Sequence, residues 1–352
     1  MRKQQKKDIE NWLVKKPGYL KKSAFEVSVA MGMAISNKED LDEVHKILKK
    51  VRKKHTVTES SKPVTKDVVE YAMSVTSKDV IAPKVVRDGT IFNQPFTRKL
   101  TTPGLYFVFG CVHAPFHNAA AFQRGIFPLL KDNREHVVGI VLAGDFLDMN
   151  SLSSHDKGKK PIQGVTLDWE YKEGSELIDG ITSDLASNIH KIYLFGNHED
   201  RYFRYMNDID NSKLGKSLPS PETGLDLQKK GFNVLTNWKE DHITLGNYLD
   251  VSHGEFVNIH TAKKHIDTYR RSTLFYHTHR VQQYIEGQVG GYNGGSMADF
   301  NQPVFNYASR AMKGSWLNGF TAVYVDNQGF YHVQQIVCYN NSFIFGNKLY
   351  KY

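Results

Sequence analysis

At 352 residues and 40% hydrophobic content, the chain is long enough for one large domain, or a domain with a small appendage, and too apolar for wholesale disorder. Two cysteines, Cys111 and Cys338, exclude a disulfide framework; no signal-like apolar stretch opens the chain and no window approaches the roughly 18 apolar residues of a membrane span, so a soluble cytoplasmic protein with no membrane partner is expected. The net charge of +9 is concentrated in residues 1–60, which carry 15 Lys/Arg against 8 Asp/Glu, so a polyanionic partner is expected to meet that segment.

Residues 1–58 read as a basic helical domain. Ile9, Trp12 and Leu13 give an apolar spacing before a turn at Pro17-Gly18, and a second apolar segment runs through Ala24, Phe25, Val27, Val29, Ala30 and Met31. Asn37 is a candidate N-cap with Asp40 three residues on; Leu41, Val44, Ile47, Leu48 and Val51 follow at helical spacing and end in a run of lysines and arginine. Such a set resembles a helix-turn-helix module that would bind DNA or RNA; the alternative is a solvated basic appendage. Residues 59–103, interrupted by Pro63, Pro83, Pro95 and Pro103, read as linker and peripheral packing, with Val80-Ile81 and Val85-Val86 as possible edge strands.

From residue 104 the pattern alternates. A buried strand at 105–109 precedes a helix capped by Asn118 and running to about Leu130; a strand at 137–142, a helix at roughly 168–188 and a strand at 191–195 follow. This argues a layered α/β domain over residues 104–352. Residues 242–252, 274–288 and 320–350 are rich in Val, Ile, Tyr and Phe, with turns at Asp326-Asn327-Gln328-Gly329 and Asn340-Asn341, and read as a second, largely antiparallel sheet. The aromatics Trp316, Phe320, Tyr324, Phe330, Tyr331, Phe343, Phe345, Tyr350 and Tyr352 read as core, with a subunit interface as the alternative. No internal repeat or low-complexity tract occurs.

Five motifs sit where apolar runs stop: Cys111-Val112-His113, Gly144-Asp145-Phe146-Leu147-Asp148, Gly196-Asn197-His198-Glu199, Ser252-His253-Gly254 and His277-Thr278-His279. Loops at strand ends carry the active sites of α/β sheets. The motifs supply imidazoles, carboxylates and an amide, the donor types that hold two divalent metals. His277 and His279, two apart in an extended segment, can face one site.

In this order the motifs resemble the calcineurin-like metallophosphoesterases over about residues 104–285; the wording Ala114-Pro115-Phe116-His117-Asn118 and Glu199-Asp200-Arg201-Tyr202 looks most like a phage-encoded branch, which implies a host cytoplasm. The resemblance implies a two-sheet α/β sandwich flanked by helices and two divalent cations, manganese first, with zinc, iron or nickel as alternatives. It implies that His113, Asp145 and His279 belong to one metal site, and Asp145, Asn197, His253 and His277 to the other. His198 would meet the substrate or leaving group, and Asp148 would hydrogen-bond and orient it. Two positions depart from the family. Cys111 stands where an Asp is expected, as a soft ligand that shifts the metal preference or as a buried thiol that weakens the first site. Tyr276 stands where Gly is usual, which suggests a wider loop. His117 is a candidate for a phosphate oxygen or a helix start, and Arg201 for a bidentate phosphate clamp or an ion pair with Glu199.

The expected function is phosphoester hydrolysis in which the cations supply hydroxide at neutral pH, with nucleic acid as substrate through the basic N-terminal segment. A phosphatase or phosphodiesterase of nucleotides or phosphoproteins is the second reading. A non-catalytic binding module with a degenerate metal site is the third.

Overall fold

The structure, a computed structural model, describes residues 3–15, 27, 31, 44–51, 98–154, 164–208 and 218–352. The chain divides into two compact units, Met1–Val80 and Ile81–Tyr352. In the first, Lys3–Lys15 is an α-helix and residues 44–51 are helical. Ile9, Leu13, Val27, Val44, Ile47, Leu48 and Val51 bury one another, with Trp12 and Met31 against them. The helical spacing of apolar residues thus forms a small core. The turn at Pro17-Gly18, the rest of the second apolar segment, the Asn37 cap, the basic run after Val51 and the strands at 80–81 and 85–86 lie outside the described residues. Among the described residues no helix is long and apolar enough to cross a membrane.

The second unit is an α/β fold of two mixed six-stranded sheets flanked by helices. The first sheet has the order β12-β11-β2-β3-β4-β5 and the second β1-β6-β7-β8-β10-β9. Strands β2 (Gly104–Phe109), β3 (Val137–Ala143), β4 (His190–Leu194) and β5 (Asn233–Leu235) run parallel. Their period-2 alternation divides the core. Leu105, Phe107, Phe109, Ile140, Leu142 and Tyr193 pack in one layer with the helical residues Phe122, Leu129, Leu177 and Ile178. Tyr106, Val108, Val141, Ala143, Ile192 and Leu194 meet Ile243, Leu245, Val251 and Leu274 of the second sheet. Near-continuous apolar runs in β2 and β3 follow from burial on both faces.

Asn118 caps its helix as expected, its Oδ1 accepting from Ala121 N at 3.1 Å; a π turn over Ala121–Ile126 then passes into the α-helix Phe127–Asp132. The helix expected at 168–188 is shorter, Leu167–Thr182. At its end Thr182 Oγ1 donates to Ile178 O and Ser183 Oγ to Gly180 O, hydroxyl contacts that compete with helical continuation.

The second sheet differs from expectation in direction and membership. It comprises β1 (Lys99–Leu100), β6 (Ile243–Leu245), β7 (Leu249–Val251), β8 (Ser272–Phe275), β9 (Val281–Glu286) and β10 (Val289–Gly294). The β1–β6, β7–β8 and β8–β10 pairs are parallel, and the helix Thr261–Tyr269 makes the crossover between β7 and β8. Strands β11 (Gly319–Val325) and β12 (Tyr331–Val337) join the first sheet, with β11 antiparallel to β2, and β13 (Ser342–Phe345) and β14 (Lys348–Lys351) form a separate hairpin. Both expected turns are present: Gly329 N donates to Asp326 O, and Asn340 and Asn341 take left-handed φ of 50° and 53° before Ser342. Of the C-terminal aromatics, Phe320, Phe343 and Tyr350 are buried, whereas Tyr324 and Phe330 are exposed.

Tyr276 does not widen its loop. Its side chain enters the inter-sheet core, where its hydroxyl donates to Val108 O at 2.8 Å and lies 3.1 Å from Thr321 Oγ1. Two glycines make the space: a Cβ on Gly110 would stand 2.3 Å from Tyr276 Cγ, and one on Gly294 2.3 Å from Tyr276 Cε1. Gly110→Ala is therefore expected to destabilise the unit by about 1–3 kcal/mol through overpacking, measured as a lower urea midpoint at unchanged slope.

Candidate metal centre

Each motif follows a strand's C-terminal end, so two sheets deliver five loops to one place. The first two loops continue the parallel pairing of β2 and β3: Cys111 N donates to Gly144 O, His113 N to Asp145 O and Ala114 N to Phe146 O, and Asp148 N returns to Ala114 O. Tyr276 N donates to His253 O and joins the loops of the second sheet. Two glycines permit close approach. A Cβ on Gly144, at φ 81°, would stand 2.4 Å from His253 Nδ1, and one on Gly196 2.1 Å from Asp145 Oδ1.

The donors fall into three overlapping groups, two of which share Cys111 while the third joins His113, Asp148 and His198. His113 Nε2 and His279 Nε2 face each other at 3.0 Å, and both residues group with Cys111. His253 Nε2 lies 2.9 Å from Asn197 Oδ1, 3.0 Å from His277 Nδ1 and 3.3 Å from Asp145 Oδ2, and Cys111, Asp145 and His253 form a second group. Asp145, His113, His253 and His279 are almost wholly buried.

This packing puts acceptors against acceptors. His113 Nδ1 donates to the Asp148 carboxylate at 3.0 Å, so its Nε2 carries a lone pair toward His279. His253 Nδ1 donates to Ala143 O at 3.3 Å, so in the neutral ring its Nε2 turns a lone pair on an amide oxygen, a carboxylate oxygen and another imidazole. A proton or a cation relieves such a convergence, and neutral imidazoles, a carboxylate and an amide oxygen together suit a divalent cation. The directions of the pKa shifts agree. Burial, then His253, hold His277 down to about 3; burial holds His279 well below its ordinary value, and burial with the His198 charge lowers His113. Burial opposes ionisation of Asp145, but the His253 and His198 charges outweigh it and keep the carboxyl well below the usual range. Burial disfavours protonated His253, yet Asp145 raises it overall. Burial, then Asp145, push the Cys111 thiol well up.

The backbone marks the same residues. Among the described residues ten non-glycines take left-handed φ, and five are Cys111, His113, Asp145, His277 and His279. Each such conformation costs about 1–2 kcal/mol and clusters at sites where the surroundings enforce it.

His198 stands beside the first group, its ring centroid 4.5 Å from that of His113, with Nε2 3.9 Å from Asp145 Oδ2. Asp148 holds it chiefly through the main chain: His198 Nδ1 donates to Asp148 O at 2.7 Å, while the carboxylate, 3.5 Å from that nitrogen, is nearer to His113. Arg201 donates to the same Asp148 O at 2.9 Å, and its Nη2 lies 3.3 Å from His198 Nε2. It makes no surface pair with Glu199, which is fully buried. His117 is not brought to the cluster; its ring meets Phe122 edge-on at 5.6 Å, and burial lowers its pKa to about 4.

Three contributors escape motif reading. Glu199 accepts from Asp145 N (3.0 Å), Leu147 N (2.9 Å), Gly196 N (2.8 Å) and the Tyr193 hydroxyl (2.9 Å), tying the second and third loops together. Arg204 Nη2 holds Asn197 O at 2.7 Å. Aromatic rings flank the donors: Trp238 lies 6.1 Å from both His253 and His277, Trp316 4.7 Å from His279, and the exposed Tyr307 6.2 Å from Trp316. Only the last letter of Gly196-Asn197-His198-Glu199 hinted at any of these.

No protein-family model matches the chain, and no curated protein matches it. Solved structures similar to it include wild-type Vps29 of Entamoeba histolytica complexed with zinc, 13% identical over 68% of this chain and 96% of that one, TM-score 0.37. Vacuolar protein sorting 29 of Cryptosporidium parvum is 12% identical over 70% and 94%, TM-score 0.33. A Streptococcus pneumoniae protein described as a predicted phosphoesterase is 12% identical over 68% and 91%, TM-score 0.28.

Replacing Glu199 by Gln would turn an NH2 group on at least one main-chain donor, because one carboxylate oxygen accepts from Asp145 N and Gly196 N and the other from Leu147 N and the Tyr193 hydroxyl. Glu199→Gln is expected to cost about 1–3 kcal/mol in urea unfolding, and Glu199→Ala more, because the first strands at least one buried main-chain donor and the second all three. A variant within about 0.5 kcal/mol of the parent would show that this carboxylate does not tie the loops.

Proposed function

We propose that the chain is a two-metal phosphoester hydrolase acting on phosphodiesters of nucleic acid. The observation that carries the reading is the pair of donor groups that overlap at Cys111, one of them containing Asp145, with His198 and Arg201 alongside. His113, Asp145 and His279 would hold one cation, and Asp145, Asn197, His253 and His277 the other, with Cys111 between them. When bound, two such cations polarise phosphoryl oxygens and lower the pKa of water.

The chain's own residues account for the rest. Asp148 O fixes the Nδ1–H of His198, so Nε2 is the atom that exchanges a proton with the leaving oxygen. Arg201 is oriented by Asp148 O and keeps further N–H donors for a phosphoryl oxygen. Asp148 also selects the His113 tautomer that leaves Nε2 as a ligand atom. The choice of nucleic acid draws support from the flanking rings of Trp238, Trp316 and Tyr307, which suit stacking with bases, and from the 15 Lys/Arg against 8 Asp/Glu in residues 1–60.

With manganese or zinc added, a chromogenic phosphodiester is expected to turn over faster than the matching monoester. His198→Ala should lower kcat at least about 100-fold while the far-ultraviolet circular dichroism is unchanged. Equal rates in parent and variant would remove His198 from the mechanism, and a faster monoester would favour a phosphatase. Affinity for a single-stranded oligonucleotide is expected to fall steeply with salt, and removal of residues 1–58 to flatten that slope. An unchanged slope would separate the basic segment from substrate binding.

A further inference from the structure

Cys111 belongs to two of the three donor groups. Its sulfur lies within 4.8 Å of the donor atoms of His113 and His279 and, in the other group, of Asp145 and His253. Donor atoms around one tetrahedral zinc stand roughly 3.3–3.8 Å apart, given bonds of about 2.0–2.3 Å, so small side-chain adjustments suffice for coordination. Geometry separates this thiol from an inert buried one in one further way. The residue is held at φ 48°, the left-handed conformation it shares with His113, Asp145, His277 and His279. Asp and Asn offset that conformation by local hydrogen bonds of their side-chain oxygens, and Cys has none to offer.

We propose that Cys111 Sγ is a ligand common to both cations and makes the centre select thiophilic ions, zinc or cobalt, over manganese and magnesium. The inference rests on the two-metal reading and deepens it. Binding exchanges the thiol proton, released to solvent, for metal–sulfur bonds, and no electron is transferred.

Cobalt reports each part separately. The full metal-free chain, titrated with Co2+, is expected to develop visible d–d bands together with an intense near-ultraviolet sulfur-to-cobalt charge-transfer band. The chain has only one other sulfur able to give that band, Cys338, which packs in the helical layer. Cys338→Ser should therefore keep the band, and Cys111→Asp should lose it while retaining the d–d bands. In competition titrations, Cys111→Asp should reduce the preference for zinc over manganese at least about tenfold. Visible bands without charge transfer in the parent chain would overturn the role of Cys111 and leave the two-metal reading standing. A charge-transfer band that vanishes in Cys338→Ser would also overturn it. No cobalt spectrum at any concentration would overturn both. The parent and Cys338→Ser spectra decide the matter even if Cys111→Asp does not fold.

Discussion

Glu199 has no donor atom in any of the three donor groups, yet the geometry of those groups depends on it. Its carboxylate accepts the N–H groups of Asp145, Leu147 and Gly196 together with the Tyr193 hydroxyl, and it is fully buried. An ionised carboxylate in such a place is tolerated only when its lone pairs are filled, and here four donors fill them. The carboxylate clamps two loops from neighbouring strands. That restraint helps to hold Asp145 at its left-handed φ and presents its carboxylate to His253 and His198.

With the loops fixed, electrostatics does the remaining selection. Burial alone would neutralise every group in the cluster. Instead Asp145 and His253 sustain each other as a charged pair, while His277 and His279 are driven to the neutral form that a cation requires. A proton on His253 occupies the electrostatic place that a metal ion would take, which couples metal binding to proton release. Cys111 completes this economy of charge, since its neutral thiol adds no third negative centre beside Asp145 until a cation arrives.

Much of this was legible in the sequence because strand ends and short motifs are local. The Cys111, Asp145, Asn197, His253 and His277 loops each follow an apolar run, and all five meet. Pairing partners are not local. Residues 319–337 carry the same apolar alternation as the second sheet, and nothing in their composition says that β11 lies beside β2. The role of Glu199 was not legible for a related reason, because an acidic residue next to Asp200 and Arg201 looks exposed until its four donors, two of them from the Asp145 loop, are assembled. Trp238 and Trp316 belong to no motif and acquire meaning only from the imidazoles they flank. For the first unit, helical spacing was enough to identify the residues that bury, from Ile9 to Val51.

The Tyr276 ring fills space left by the missing side chains of Gly110, just past the end of β2, and Gly294, at the end of β10, which are far apart in sequence. The three positions are therefore coupled in inheritance. A lineage that reached this arrangement needed both glycines in place before the tyrosine could be accepted, and a lineage leaving it must lose the tyrosine first. The order of substitution is constrained in both directions. Relatives that carry the large ring should carry both glycines, whereas the glycines without the ring are allowed, so the ring is a marker of descent that is independent of the chemistry a few ångströms away.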